Sequence, residues 1–409
     1  MKKVQYKIRE IFPKIIKHIG KSIIVIHGAR QVGKTTLIYS LQDYLKEKQH
    51  IKNNQIFYFD LEDFEFLDLC DSGYKNVLKY LEIKGANLKN KIYLFIDEIQ
   101  YLNNPSSFLK LMYDHSDVNL IVSGSSSFAI KSKFKDSLVG RTIDFELFGL
   151  SFQEFLNFKN EKINLLKLNK KTPKTIQDKL KNLFTEYAIY GSYPKVVLEK
   201  NILIKEQIIK QIINTYIKKD IADFAQIRDI RKFNNLIMLL ARQSSNLVNI
   251  QEISKILNLN RETLEKYIFI LENTYIIKLL RPYSTSKEVE ISKMPKIYFE
   301  DTGIRNILAF YDFPKLLDEA LFENAFYMML RKEIDIENLY FWRTKNEQEV
   351  DFVINKKGSL IPLELKLSFF KIRHSGLEAF SNKYNTKKTY IVSLDGKNII
   401  YPWQVLKVL

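Results

Sequence analysis

The chain has 409 residues, of which 46% are hydrophobic, and its single cysteine is Cys70; that is room for two or three domains, while an internal disulfide and a cysteine-based zinc cluster are excluded. The formal charge of +17 is densest in residues 151–240 and favours contact with nucleic acid, although a bias toward lysine, isoleucine and asparagine accounts for part of it as genome composition. No apolar run approaches the roughly eighteen residues of a membrane span, and the N-terminus lacks a signal-type apolar core, so a cytoplasmic protein with no membrane partner is expected.

Residues 1–20 read as a basic amphipathic helix with Ile8, Ile11, Phe12, Ile15 and Ile19 on one face, suited to packing on a core rather than to adsorbing on a membrane. From residue 22 to 150 strands alternate with helical patterns: Ile23 to Ile26, Gln55 to Asp60, Ile92 to Asp97, Leu120 to Ser123 and Thr142 to Leu147. This is the α/β pattern of a parallel sheet. Between the first strand and the first helix stand Gly28, Ala29, Arg30, Gln31, Val32, Gly33, Lys34, Thr35 and Thr36. That order is a phosphate-binding loop: backbone N–H groups surround the phosphates of a nucleoside triphosphate, Lys34 reaches the β- and γ-phosphates, and Thr35 holds Mg²⁺.

A second motif stands at the end of the third strand, where Asp97 is placed to bind the Mg²⁺ shell and Glu98 to polarise the attacking water. The fourth strand ends in Ser123-Gly124-Ser125, and Ser123 suits a polar sensor between the γ-phosphate and Glu98; a plain serine turn is the alternative.

Residues 151–235 read as a helical lid over the nucleotide, broken at Tyr190-Gly-Ser-Tyr-Pro194. Residues 236–299 have the order of a winged helix-turn-helix: a helix over Asn249 to Leu257, a turn, a helix from Arg261, and strands around a Ser284 to Glu290 loop. The Arg261 helix would enter a DNA groove. Its glutamates Glu262, Glu265 and Glu272 offset its basic residues and favour a packing module instead.

The last segment, residues 300–409, carries a second set of charges. Glu323 lies on a helix, Asp351 on a strand, and Glu364 and Lys366 share one face of the next strand while Leu363, Leu365 and Leu367 share the other. A hairpin through Asn355 to Ser359 would bring Asp351 beside Glu364. Two acids and a lysine at a sheet edge are what metal-dependent phosphodiester cleavage needs: Asp351 and Glu364 would bind one or two Mg²⁺ or Mn²⁺, Glu323 would complete the metal shell, and Lys366 would orient the water. A nuclease-like fold without activity, and charges that are merely solvated, are the alternatives.

These motifs together resemble a family of prokaryotic AAA-type ATPases with a winged-helix segment and a C-terminal restriction-endonuclease-like domain of unknown function. The likeness covers nearly the whole chain and adds Val139-Gly140-Arg141 and Leu150-Ser-Phe-Gln-Glu-Phe155 to the residues already named. It implies the division 1–150 ATPase core, 151–235 lid, 236–299 winged helix and 300–409 nuclease-like domain, with ATP rather than GTP as the nucleotide. It further implies that Arg141 senses the γ-phosphate in its own subunit or reaches a neighbour's site, as against forming an ordinary salt bridge. Pro194 would contact adenine, or else simply end a helix. Asp351 follows Val350 rather than the proline usual in nuclease-like motifs. Two functions are therefore carried forward: an ATP-driven enzyme acting on DNA or RNA, and an ATP-controlled switch whose C-terminal domain meets a protein partner or a second copy of the chain.

Overall fold

The five apolar runs of the first segment form one parallel sheet. The strands are β1 (Ile23–His27), β2 (Ile56–Asp60), β3 (Ile92–Asp97), β4 (Val118–Gly124) and β5 (Thr142–Glu146), ordered β2-β3-β4-β1-β5 with every pairing parallel. The computed structural model describes residues 6–125, 138–169, 172–221, 226–369, 375–386 and 388–408. Contacts divide the chain into a first unit of residues 1–149 with Asn273–Tyr275, and a second of Leu150–Glu272 and Ile276–Leu409.

In the first unit β1 and β3 are buried along their whole length, as expected of strands covered on both faces. One face packs Ile23, Val25, Leu94, Ile96 and Val122 against Leu81, Leu109 and Met112. Cys70 lies in this cluster, and burial pushes its thiol up to about 12. The amphipathic helix expected over residues 1–20 is shorter than its pattern. It spans Phe12–Ile16, begins with Pro13 in its first turn, and is preceded by extended chain in which Arg9 serves the phosphate loop. Residues 1–5 lie outside the described residues.

The second unit is organised around a four-stranded sheet of order β11-β10-β9-β8, made of β8 (Leu339–Arg343), β9 (Glu349–Lys356), β10 (Ser359–Phe369) and β11 (Tyr390–Gly396). The expected hairpin is present: Lys357 and Gly358 both have positive φ, 51° and 88°, the geometry of a two-residue turn that follows strand twist. The register sets Leu363 opposite Phe352 and Leu360 opposite Asn355.

Helices expected to form a lid contribute to the core of this sheet. Phe152, Phe155, Phe184 and Tyr187 pack in one cluster with Phe326, Phe352, Leu363 and Trp403. The break at residues 190–194 has a packing cause. Asp301 caps the Thr302–Phe310 helix through Ile304 N at 3.1 Å and also accepts from the N and Oγ of Ser192, at 2.7 and 2.9 Å. A Cβ on Gly191 would come within 2.3 Å of the same carboxylate. Pro194 does not end a helix; it opens the one at Pro194–Leu198, where its missing N–H costs nothing.

Along the chain there follow the helices Ile230–Arg242, Ile250–Leu257 and Arg261–Asn273, and then β6 (Ile277–Leu280) and β7 (Lys296–Phe299), which pair antiparallel. A bridge from Leu247 to Lys296 adds a third edge. The stretch between β6 and β7, expected as a loop, contains a short helix at Lys287–Ser292. Among the described residues, no helix is long and apolar enough to cross a membrane.

Candidate active site

The phosphate loop leaves β1 after His27 and turns into the Lys34–Glu47 helix. Gln31 and Gly33 adopt left-handed φ values of 64° and 99°, which turn successive N–H groups toward one concavity. Gly28 cannot be replaced, since a Cβ there would stand 2.0 Å from the Leu147 carbonyl oxygen. Lys34 is buried and donates to the carbonyls of Gly28 and Ala29, each at 3.1 Å. Burial pulls its pKa below the ordinary lysine value, against the opposing pull of Glu98 and Asp97. Arg30 points elsewhere, to Glu62 at 3.1 Å and Tyr101 at 3.2 Å.

Asp97 is the hub. Its Oδ2 accepts from Thr35 Oγ1 at 2.7 Å and Tyr58 OH at 3.2 Å; its Oδ1 accepts from the Glu98 N–H at 3.1 Å and from Ser123 Oγ. Thr35 and Asp97 thus present hard oxygen donors to one point beside the loop, and this donor set fits Mg²⁺, which takes few protein ligands and fills its shell with water and phosphate. When bound, Mg²⁺ would neutralise charge on the phosphates. Glu98 has φ 55° and ψ 48°, a strained backbone for a residue with a side chain, costing of order 1–3 kcal/mol. Its carboxylate accepts from Gln100, which also donates to Ser125 Oγ at 3.1 Å.

Two expectations need correction here. Ser123 directs its hydroxyl to Asp97 rather than to Glu98, and the hydroxyl linked to Glu98, through Gln100, is that of Ser125. Arg141 does not sense the γ-phosphate in its own subunit. Its carbonyl accepts from Ile23 N at 2.8 Å, at the opposite end of β1 from the loop, roughly 13 Å away for a five-residue strand. Its guanidinium forms an ion pair with Asp114 at 2.8 Å, which also lowers the pKa of Asp114.

Three residues outside the motifs brace the loop and the strand ends beside it. Arg9 is buried and donates to the carbonyls of Val32 at 2.8 Å, Phe148 at 2.8 Å and Gly149 at 3.2 Å. Tyr58 supports Asp97. Tyr275, 248 residues beyond His27, bonds its ring nitrogen and also donates to Glu146 at 3.3 Å. Local sequence carries no signal for any of the three, because each acts on a segment far from it along the chain.

The C-terminal charges gather differently from the expectation. Asp351 and Glu364 lie on adjacent strands, and Asp351 Oδ2 accepts from Leu365 N at 2.8 Å. Glu364 pairs with Lys366 at 3.1 Å, and its Oε2 is buried with no partner. Burial, then the charge of Asp351, pushes its carboxyl up to about 7. The Lys366 ammonium is held above its ordinary value because Glu364 and Asp351 outweigh the effect of burial.

Glu323, however, faces Lys296 at 2.9 Å and Tyr298 at 2.5 Å, both on β7, and Lys296 also reaches Glu349 at 2.5 Å and Asp351 at 3.6 Å. Among the described residues, no group of three or more histidine, cysteine, aspartate or glutamate side chains is placed to hold a metal. The metal set expected from Glu323, Asp351 and Glu364 is not gathered as one group: Glu323 and Asp351 face the Lys296 ammonium, while Glu364 pairs with Lys366. Neither Glu349 nor Lys296 was singled out from the sequence as a member of this cluster; Lys296 carries no local signal, because it lies 55 residues from Asp351 along the chain.

Comparison with known proteins adds the family. Residues 20–156 match an AAA domain, 181–314 a domain of unknown function (DUF8612), and 318–406 a domain of unknown function (DUF4143). An uncharacterized protein of Haemophilus influenzae is 26% identical over 93% of this chain and 92% of its own length. Another, of Methanocaldococcus jannaschii, is 29% identical over 83% of this chain and 73% of its own. Among solved structures, the ADP form of the Aeropyrum pernix ORC2 protein aligns with a TM-score of 0.36 at 10% identity, covering 79% of this chain and 92% of that one. A Thermotoga maritima protein related to the DNA polymerase III gamma subunit reaches 0.27 at 12% identity, covering 65% and 99%. Structural likeness at that level carries no functional argument.

The phosphate loop, the parallel sheet and the AAA match together define an ATP-binding AAA-type ATPase with the P-loop NTPase fold. Within that class, this chain joins an AAA domain match to a C-terminal DUF4143 match.

Proposed function

We propose that the protein is an ATP-controlled switch, in which Mg²⁺-dependent hydrolysis in the first unit governs what the second unit presents to a protein partner. In hydrolysis Lys34 holds the β- and γ-phosphates, Glu98 orients and polarises the attacking water, and Asp97, kept in place by Ser123 and Tyr58, fixes Thr35 beside it. Gln100 restrains the Glu98 carboxylate by donating to it. The helices of residues 230–273 with the β6–β7 ribbon act as a winged-helix packing module, and the C-terminal domain acts as a non-catalytic interaction module. The single observation that carries this reading is the buried Lys296 ammonium among Glu323, Glu349 and Asp351, where cleavage chemistry would need a metal.

A second reading, an ATP-driven nucleic-acid enzyme, is favoured by one feature. A cavity of about 170 Å³ has an apolar floor of Leu247, Pro282, Met294 and Phe341 and a basic rim that includes Lys293 and Lys345, which suits a base with its phosphates. ATP turnover of the full chain, measured alone and with single-stranded DNA, duplex DNA and RNA, separates the two. The switch predicts slow turnover, lost in Lys34→Ala and indifferent to nucleic acid. Stimulation by any nucleic acid of ten-fold or so would transfer support to the second reading. In the switch Arg141 would act, if at all, on a neighbouring copy, and an Arg141→Ala variant mixed with wild type would lower turnover only if copies share sites.

A further inference from the structure

β7 delivers two side chains to the acid cluster by its period-two alternation. Lys296 and Tyr298 share a face, and both bond Oε1 of Glu323, at 2.9 and 2.5 Å. The same ammonium lies 2.5 Å from Glu349 and 3.6 Å from Asp351, with its side chain only 4% exposed. A lysine ammonium has three donors, and three carboxylates surround this one. Burial would by itself drive Lys296 toward its neutral form, but the charges of Glu323, Asp351 and Glu349 outweigh it and keep the group protonated.

The strand that carries the lysine is not loosely held. Asn324, next to Glu323 on the Glu319–Arg331 helix, accepts from Phe299 N at 2.9 Å and donates to Phe299 O at 2.8 Å. β7 is also laddered to β6 through four residue pairs. A divalent cation among these oxygens would have to stand beside a fixed positive charge, and like charges in a desolvated site repel strongly.

We propose that Lys296 is the resident cation of this cluster: its ammonium stands among Glu323, Glu349 and Asp351 where a divalent ion would otherwise sit, and closes the cluster to divalent cations while β7 is in place. The inference rests on the reading of that domain as non-catalytic and deepens it by naming the responsible group. It also gives the β6–β7 ribbon a second task, since the charge that neutralises the C-terminal acids is carried on a different sheet from theirs. Removal of that charge leaves Glu323 and Asp351 without the ammonium while Glu349 keeps its pair with Arg343 at 2.8 Å, a deficit that protons or a divalent ion would fill.

The test uses the full chain without nucleotide, titrated with Mn²⁺ and read by the electron paramagnetic resonance of free Mn²⁺ and by thermal unfolding. Wild type is expected to bind no Mn²⁺ in the C-terminal domain and to show no shift in Tm. Lys296→Met, which keeps the volume and removes the charge, is expected to unfold at lower temperature and to regain several degrees in about 1 mM Mn²⁺ with one ion bound. The double variant K296M/D351N should lose that recovery. A wild-type Mn²⁺ site abolished by Asp351→Asn overturns the proposal, and so does a folded K296M variant that ignores Mn²⁺. If K296M does not fold, the wild-type titration decides: silence upholds the assignment and a D351N-sensitive ion overturns it. Nucleic-acid stimulation of ATP turnover, measured separately, would defeat the switch reading without touching the Mn²⁺ result.

Discussion

Asp97 and Asp351 both stand on buried strands of their sheets, and both are flanked by a second carboxylate within the same site, yet their surroundings prepare them for different chemistry. Asp97 accepts from the hydroxyls of Thr35, Tyr58 and Ser123 and from one backbone N–H. These donors are neutral, and a cation that arrives with the nucleotide would complete the surroundings of this carboxylate. Asp351 has a backbone N–H on one oxygen and the Lys296 ammonium near the other. Its cation is already part of the fold. Two acid clusters of similar composition therefore differ in whether the compensating charge is a ligand or a side chain.

That contrast can be broken from either side. The largest effect is expected from Lys34→Ala, which should reduce ATP turnover about a thousand-fold by removing the ammonium of the phosphate loop; turnover above about a tenth of wild type would remove Lys34 from the chemistry. Lys296→Ala should cost about 3 kcal/mol or more in urea unfolding, because it strands buried carboxylates rather than merely deleting a contact. A loss within the range of an exposed ion pair, about 1 kcal/mol, would mean the cluster is solvated. Glu98→Gln should lower kcat about a hundred-fold while ATP affinity stays, since it removes the polarising group and not a binding group. Loss of affinity without loss of kcat would reassign Glu98.

The pH response sharpens the same comparison. Burial pushes the Glu323 carboxyl up to about 7 from 4.5, so the folded protein holds a proton that the unfolded chain has lost. The stability from this group is fully present below about 4.5 and is lost as pH rises through about 7. Glu323→Gln should therefore flatten the pH dependence of unfolding between pH 5 and 7.5 by about 1–2 kcal/mol, and an unchanged slope would show that another group titrates there. The smallest effect is expected at the brace of the phosphate loop. Arg9→Ala should weaken ATP binding by about five-fold with little change in kcat, and Arg9→Lys should not rescue it, because one ammonium cannot span three carbonyls as the guanidinium fork does. Rescue by lysine would reduce Arg9 to a point charge.

Much of this protein is written locally. The strands β1 to β4, the loop from Gly28 to Thr36, the Asp97-Glu98 pair and the hairpin between β9 and β10 follow from apolar runs, glycine and carboxylate placement, and period-two alternation, all of which act within a few residues. The same alternation correctly placed Glu364 beside Lys366 and brought Asp351 to the neighbouring strand. It could say which residues share a face, but not what that face meets. Arg9 at the phosphate loop, Tyr58 on Asp97, Tyr275 beside His27 and Lys296 among the C-terminal acids are contacts between segments that the chain brings together only on folding. The pairing of Arg141 with Asp114, and of Ser192 with Asp301, belongs to the same class. Local sequence thus determined which groups this protein owns and which strand or helix carries each. Tertiary structure decided which charges are neutralised in advance, because burial and distance, not composition, set whether a carboxylate waits for a metal or already holds a lysine.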